Sequence, residues 1–376
     1  MELFRLGDIP AKEVAAELGL SRRRVYDLRT DYLKAFAAGR ADCWQPGSSG
    51  GNHKGVWPLD VCELLRHRLS TKPPSSYSFA ASEALRLLNY RLDRSQVRMW
   101  AMANSLAHAD KPVKKPRAST RRWQRQAIGE LWQLDATPHS WFPGHQTIYP
   151  MLNMLDDCSR VFVGSSLYHQ ENLLAYLDFL PRAFLEYGLP LVVYVDHHSI
   201  FFPQHPEALT QLGTALQFYD VSFQYASTPQ AKGKIERAHQ YWQGRLPAFF
   251  AAHPAGGMEE ANQAITQLRH HRNKQEQHRE LGCCPQEAWD VACRESRSKL
   301  RPVKRDPWWS FVWALHRSIQ VGDDGRIPIG TQRIRLEIPP RTRLVLCQHP
   351  GGYQSVIAKR PTKNERPVIL FSNRPK

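Results

Sequence analysis

The stretch from Ile128 to Phe250 constrains the fold more than any other part of this 376-residue chain. Residues 131–134, 147–155 and 160–167 are short apolar or alternating runs of strand length, with Asp156 and Asp157 at a turn. Residues 171–187 read as a helix bearing Leu173, Leu174, Leu177, Leu180 and Phe184, bent at Pro181 and closed by Gly188. The run LVVYV at 191–195 is continuously apolar, as a buried central strand is. A helix at 209–218, a strand at 221–225 and a long helix at 233–250 follow. Strands and helices in this order predict an α/β domain with a mixed sheet.

The charge along the chain says what such a domain meets. Lys and Arg number 51 against 35 Asp and Glu, a net charge of +16 that points to a polyanionic partner. Residues 1–127 are net +11, residues 128–255 net −5 and residues 256–376 net +10. Basic arms neutralise phosphates, but an acidic middle repels them unless a cation stands between. No apolar run approaches the roughly 18 residues of a membrane span. The polar start at 1–13 has no signal-peptide core, and seven irregularly spaced cysteines suit a reduced protein. The expectation is a cytoplasmic bacterial protein, nucleoid-associated when bound to DNA, with no membrane partner.

The N-terminal arm carries its own pattern. Residues 10–33 read as two helices about a tight turn, with Val14, Ala15 and Leu18 on one apolar face and Gly19 at the turn. Ser21 is a cap for a second helix with Val25 and Leu28 inside. Arg22, Arg23 and Arg24 then fall in its first turn, where positive charge opposes the helix dipole. That placement makes sense if the arginines meet DNA, as the start of a recognition helix does. Residues 1–40 are therefore expected to be a DNA-binding helix-turn-helix. Residues 41–110 form a second helical DNA-binding segment, open to a second helix-turn-helix reading. Residues 111–127 are a basic linker in which Lys111, Lys114, Lys115, Arg121 and Arg122 lie along phosphates. Trp123 within it docks on the next domain. The catalytic core spans 128–255, a helical connector 256–305 and a small β-barrel 306–376.

Three carboxylates in the acidic middle stand where reaction chemistry is mounted. Asp135 ends the first strand and Asp196 ends the buried strand, the open end of an α/β sheet. Glu236 lies in the first turns of the long helix, just off an apolar face of Ile235, His239, Trp242 and Leu246. Any one alone reads as a cap or a salt-bridge partner. Together they suit hard divalent cations. Two such ions about 4 Å apart can activate an attacking oxygen and stabilise a leaving one in phosphoryl transfer.

The sequences around these acids sharpen the reading. DATPHSWFPG at 135–144, VDHHSIF at 195–201 and STPQAKGKIERAHQ at 227–240 occur in that order, with 39 residues between Asp196 and Glu236. They resemble the first-aspartate, second-aspartate and glutamate motifs of ISNCY-type transposases, within the retroviral-integrase-like DDE superfamily. The resemblance extends less sharply through residues 273–289. It departs at His197, where the pattern has Lys, and in the β tail. It implies an RNase H-like catalytic core with Asp135, Asp196 and Glu236 as catalytic and metal-holding residues. It also implies Mg2+ (or Mn2+) dependence, with two ions per site, and homo-oligomers assembled on double-stranded DNA of element ends and target. His139 and His198 lie inside the motifs, as groups that orient phosphate or water or support the carboxylates. Lys232, Lys234 and Arg237 flank Glu236 as DNA contacts.

Other signals fall away. His270, His271, His278, Cys283, Cys284 and Cys293 lack the paired spacing of a zinc site. The absence of a phosphate-cradling G-x4-G-K-[ST] leaves no nucleotide cofactor. The expected activity is that of a DDE transposase or integrase, cleaving DNA to expose a 3′-hydroxyl and joining it to a target. A nuclease that cuts without joining, or a domesticated DNA-binding regulator with an inactive core, are the alternatives.

Overall fold

Five strands form the centre of the molecule: β1 (Leu131–His139), β2 (Tyr149–Asp156), β3 (Phe162–Leu167), β4 (Val192–Val195) and β5 (Ser222–Tyr225). The computed structural model describes residues 4, 6–37, 57–108, 124–196, 210–225 and 233–374. The sheet order is β3-β2-β1-β4-β5. β1, β2 and β3 are joined antiparallel by short turns, while β4 and β5 run parallel to β1 after helical crossovers. The mixed sheet expected from the sequence is therefore present.

Each face of the sheet is covered because successive side chains alternate. Trp132, Leu134, Leu152 and Met154 point to one side, where α6 (Leu173–Tyr187) packs Leu180 and Phe184 against them. Asn172 caps that helix by accepting from the Ala175 amide, and the helix runs through Pro181 to Gly188, whose φ is +94°. Gly164 on β3 lets α6 approach closely: a Cβ there would sit 2.5 Å from the Phe179 ring. Met151 and Leu155 point to the other side and meet α8 (Gly233–Gln243) through Ile235 and Trp242.

The free edge of β3 is covered by α10 (Met258–Gln275), the long helix of the expected connector. Asn262 accepts from the Leu167 amide at 2.7 Å and donates to its carbonyl at 3.0 Å. Asn273 does the same for Phe162, at 3.0 Å in each direction. Two side-chain amides thus stand in for a missing neighbour strand, which is one way an edge is kept from pairing elsewhere. After α11 (Pro285–Arg294) the chain enters its β tail.

That tail differs from the expected barrel. β6 (Leu315–Gln320), β9 (Arg343–Gln348), β10 (Gln354–Ile357) and β11 (Ile369–Ser372) form an open sheet in the order β11-β10-β9-β6. β7 (Arg326–Ile329) and β8 (Gln332–Arg335) form a separate hairpin. Closure is unnecessary because both faces are already covered. Val345, Cys347 and Ile357 pack into the cluster that contains Phe184 and Trp313, while Leu344, Leu346 and Val356 meet Ile327 and Ile329 of the hairpin.

The chain forms two compact units, Met1–Pro58 and Leu59–Lys376. Within Met1–Pro58, α1 (Ala11–Glu17) and α2 (Arg22–Ala37) flank Gly19, whose φ is +62°. The Arg24 amide donates to Ser21 Oγ at 3.3 Å, the expected cap. Ala15, Val25 and Leu28 are buried, but Leu18 is exposed, because the helix ends at Glu17 and the turn carries it outward.

α3 (Leu59–Ser70), α4 (Tyr77–Leu88) and α5 (Arg94–Ala103) belong to the same unit as the sheet. Phe79 of α4 lies in the cluster of Met151 and Trp242, with its ring 6.4 Å from Phe249 of α9 (Leu246–Ala252). Arg68 is buried and pairs with Glu83 at 3.2 Å. Residues 59–108 thus pack within the same unit as the core. α7 (Gln211–Phe218) completes the crossover between β4 and β5. Among the described residues no helix is long and apolar enough to cross a membrane.

Candidate active site

β1 and β4 deliver the first two acids. Their parallel register pairs Leu131 with Val192, Trp132 with Val193 and Gln133 with Tyr194. Two residues further on, Asp135 and Asp196 leave neighbouring strands on the same face, strands that lie about 4.8 Å apart. Both are half-buried. Tyr176 of α6 gives an independent sign that they converge. Its buried hydroxyl donates to Glu171 Oε1 at 2.7 Å, and its ionisation is pushed above the ordinary range. Burial is the first cause, the Glu171 carboxylate the next, and the charges of Asp135 and Asp196 both add to it.

α8 lies over this face. Ile235, Ala238, His239 and Trp242 are buried at the spacing of a single helix side. Gln243 Nε2 donates to Thr137 Oγ1 at 2.9 Å, and His239 Nδ1 stands 3.9 Å from Asp135 Oδ2. Glu236 is one turn before His239 and exposed. Among the described residues no three His, Cys, Asp or Glu side chains already form one metal-holding group. The donor set nevertheless suits a hard cation: two carboxylates on adjacent strands, with a third on the covering helix.

The flanking residues divide. Lys234 is turned inward, where its ammonium pairs with the fully buried Asp157. Asp157 also accepts from Gln133 Nε2 at 2.8 Å and from the Arg125 amide at 2.7 Å. Burial lowers the Lys234 ammonium to about 8 against the pull of Asp157. A lysine so engaged is a strut between α8 and the β2 turn. Arg237 is exposed and pairs with Glu280. His139 is four residues beyond Asp135, about 13 Å along the strand. Its ring meets Trp141 edge-on at 4.9 Å, and burial lowers its affinity for a proton. It is not brought beside the carboxylates. Arg22, Arg23 and Arg24 open α2, the first two exposed and the third half-buried. Lys111, Lys114, Lys115, Arg121, Arg122, Trp123, His198 and Lys232 lie outside the described residues.

Asp156 and Asp157 follow their turn reading. Asp156 ends β2, buried, and accepts from the Gly129 amide, Trp132 Nε1, and the Ser159 amide and hydroxyl at 2.8–3.1 Å. His239, Tyr176 and Glu171 are neighbours of the acids that sequence reasoning missed. His239 had a signal, a titratable ring on an otherwise apolar helix face; Tyr176 had none. An aromatic-lined cavity of about 300 Å³ between Phe142, Tyr149 and Phe250 lies at the far end of β1, away from Asp135.

A five-stranded sheet in this order, with one acid midway along β1, the other just past the end of the parallel β4, and a helix over that face, is an integrase-core-like fold. No protein-family model matches the chain. In sequence it is 30% identical over 293 residues to the transposase for insertion sequence IS1202 of Streptococcus pneumoniae, covering 67% of this chain and 61% of that protein. It is 25% identical over 316 residues to y4bF of Sinorhizobium fredii (strain NBRC 101917 / NGR234), a protein named as a transposase, covering 77% and 66%. The chain thus spans less than two thirds of the length of either relative. The similarity to transposases thus covers two thirds or more of this chain.

Solved structures with similarity include the HTLV-2 integrase catalytic core domain in complex with magnesium. It has a TM-score of 0.36 and 16% identity, covering 43% of this chain and 97% of that one. Another is the simian T-cell lymphotropic virus intasome in complex with PP2A regulatory subunit B56 gamma. There the TM-score is 0.40 and the identity 13%, covering 77% and 95%.

Proposed function

We propose that the protein is a metal-dependent DDE transposase that binds element ends, cleaves DNA to expose a 3′-hydroxyl and joins that hydroxyl to target DNA. The observation that carries this reading is the register of β1 and β4, which brings Asp135 and Asp196 side by side on one face. Asp135, Asp196 and Glu236 would hold Mg2+ or Mn2+, two ions per site. The bound ions would supply activation of the attacking oxygen and stabilisation of the leaving one. The residues themselves do the positioning. β1 and β4 fix two carboxylates on a rigid sheet, and Glu236 stands in the first turn of α8, the helix that covers their face. Arg22, Arg23 and Arg24 read the element end, and the 111–122 linker lies along its phosphates. The protein works as a homo-oligomer on double-stranded DNA.

The test is an end-cleavage and strand-transfer assay with the Asp135→Asn variant. Both reactions should fall by about 10³-fold or more, as when one charged group acting on a transition state is lost. Binding of the end in a gel shift should persist. A variant that still joins ends would overturn the assignment. Arg22→Ala or Arg23→Ala should cost about 1–3 kcal/mol at the cognate end, whereas Lys114→Ala should weaken all sequences alike.

A further inference from the structure

β2 holds one residue that its packing does not explain. In the run Met151-Leu152-Asn153-Met154-Leu155 the only polar side chain is Asn153, a residue type depleted in strands. It is 1% exposed, and among the described residues neither its amide nitrogen nor its amide oxygen has a hydrogen-bond partner. Leaving a buried amide so is costly, and a well-packed leucine of similar size would avoid the cost.

Its position suggests what the amide is for. Asn153 is the direct cross-strand partner of Asp135 in the β1–β2 register. Directly opposed residues of an antiparallel pair point to the same face, with Cβ atoms about 4.5–5.5 Å apart. That face is the one α8 covers, since His239 reaches Asp135 there and Met151 and Leu155 pack against Trp242. The Trp242 indole N–H, buried in the same layer, also lacks a partner. A polar seam therefore runs under α8 beside Asp135, within a cluster that is otherwise apolar.

We infer that Asn153 is a positioning residue for Asp135: its amide N–H, across one ordered water, holds the carboxylate in the orientation that receives a divalent cation. Buried polar seams of this kind are where ordered water is found, with two to four polar partners each. Partners of metal-holding groups commonly govern affinity as strongly as the geometry of the ligands themselves. The inference rests on the reading of Asp135 as a metal-holding residue. Asn153 itself is not a ligand, because it is buried where Asp135 is half-open.

The experiment is a Mn2+ titration of the full chain followed by electron paramagnetic resonance, with thermal unfolding measured in parallel. Asn153→Leu should raise the Mn2+ dissociation constant about tenfold or more. The melting temperature should stay level or rise, since an unpartnered amide has been replaced by apolar packing. A residue that merely fills space would behave in the opposite way, losing stability and keeping Mn2+ affinity. Asn153→Ser, smaller and still polar, covers the case in which leucine does not fit, and should lower affinity by a smaller factor. Asp135→Asn separates the two ideas. If it leaves Mn2+ binding intact, the metal reading of Asp135 fails. If it abolishes binding while both Asn153 variants bind as the wild type does, the role given to Asn153 is refuted.

Discussion

Two pairs of carboxylates sit on one sheet and lead different lives. Asp156 and Asp157 close the β2 end, fully buried, each accepting several hydrogen bonds, with Lys234 as a cation on the second. Asp135 and Asp196 leave β1 and β4 on a half-open face; the Asp135 side chain is 22% exposed against 0% for Asp157. The first pair has its acceptor oxygens filled by the protein itself, with nothing left to offer a ligand. The second concentrates negative charge where solvent and a ligand reach it, and even acts on the buried Tyr176 hydroxyl. Acid residues are common in turns and at strand ends alike. What separates a structural acid from a working one is whether the fold has already satisfied it.

Exchanging the damage between the pairs gives the largest effect. Asp196→Asn should remove DNA cleavage by about 10³-fold or more while leaving the unfolding transition in place. Asp157→Ala should do the reverse, costing about 3–5 kcal/mol in a denaturant titration because a buried ion pair is broken and the Gln133 and Arg125 donors lose their acceptor. Residual cleavage measured on the folded fraction should stay near the wild-type level. Equal loss of stability in both variants would erase the distinction.

The sequence made the difference between the pairs partly legible. Asp196 could be placed because LVVYV is an apolar run that stops at an acid, as β4 does; Asp135 was expected to end its strand too, but β1 runs on to His139 and the acid lies midway along it. Asp156–Asp157 followed from turn chemistry. Lys234 was not legible, since a lysine in a first helical turn looks solvated until the β2 turn is known to lie beneath it. Residues 59–108 were legible only as helices. Amphipathic spacing marks Ala80, Ala84, Leu85 and Leu88 on one helix, but does not say that Phe79 of that helix packs against Phe249, 170 residues away. Strand alternation in the tail likewise marks two faces without saying what covers them, so an open sheet packed on both sides reads as a barrel.

A second effect, smaller in free energy, concerns DNA engagement. The acidic middle must admit a phosphate next to Asp135 and Asp196, while Asp156 and Asp157 stay out of its reach. Footprinting of an end substrate should show protection by the basic arms with or without a divalent ion, since counterion release supplies that affinity. Protection at the scissile position should need Ca2+ or Mg2+, whose charge turns local repulsion into attraction. Asp196→Asn should reduce that need, and Asp157→Asn should not. Metal-independent protection in the wild type would mean that side chains alone tolerate the phosphate, with Lys232 and Arg237 as the first to substitute.

The smallest effect probes the structural pair by pH. Burial outweighs the hydrogen bonds from Ser159 and Gly129 and lifts the Asp156 carboxyl to about 6. In the unfolded chain the same group titrates near ~3.9. Between those values the folded protein binds a proton that the unfolded chain releases. The stability contributed by Asp156 therefore rises as pH falls from 6 toward 4, with a slope no steeper than about 1.4 kcal/mol per pH unit. Above pH 6 the charged form weighs against the fold, and its hydrogen bonds only limit the cost. Asp156→Asn has no such titration. The gap in unfolding free energy between wild type and variant should widen as pH is lowered from 7 to 4.5, measured at fixed ionic strength. A gap that narrows would mean that the hydrogen bonds win over burial and that Asp156 prefers to be charged. It would then be a second concentration of negative charge on the sheet, and satisfaction by the fold could no longer be what tells the two pairs apart.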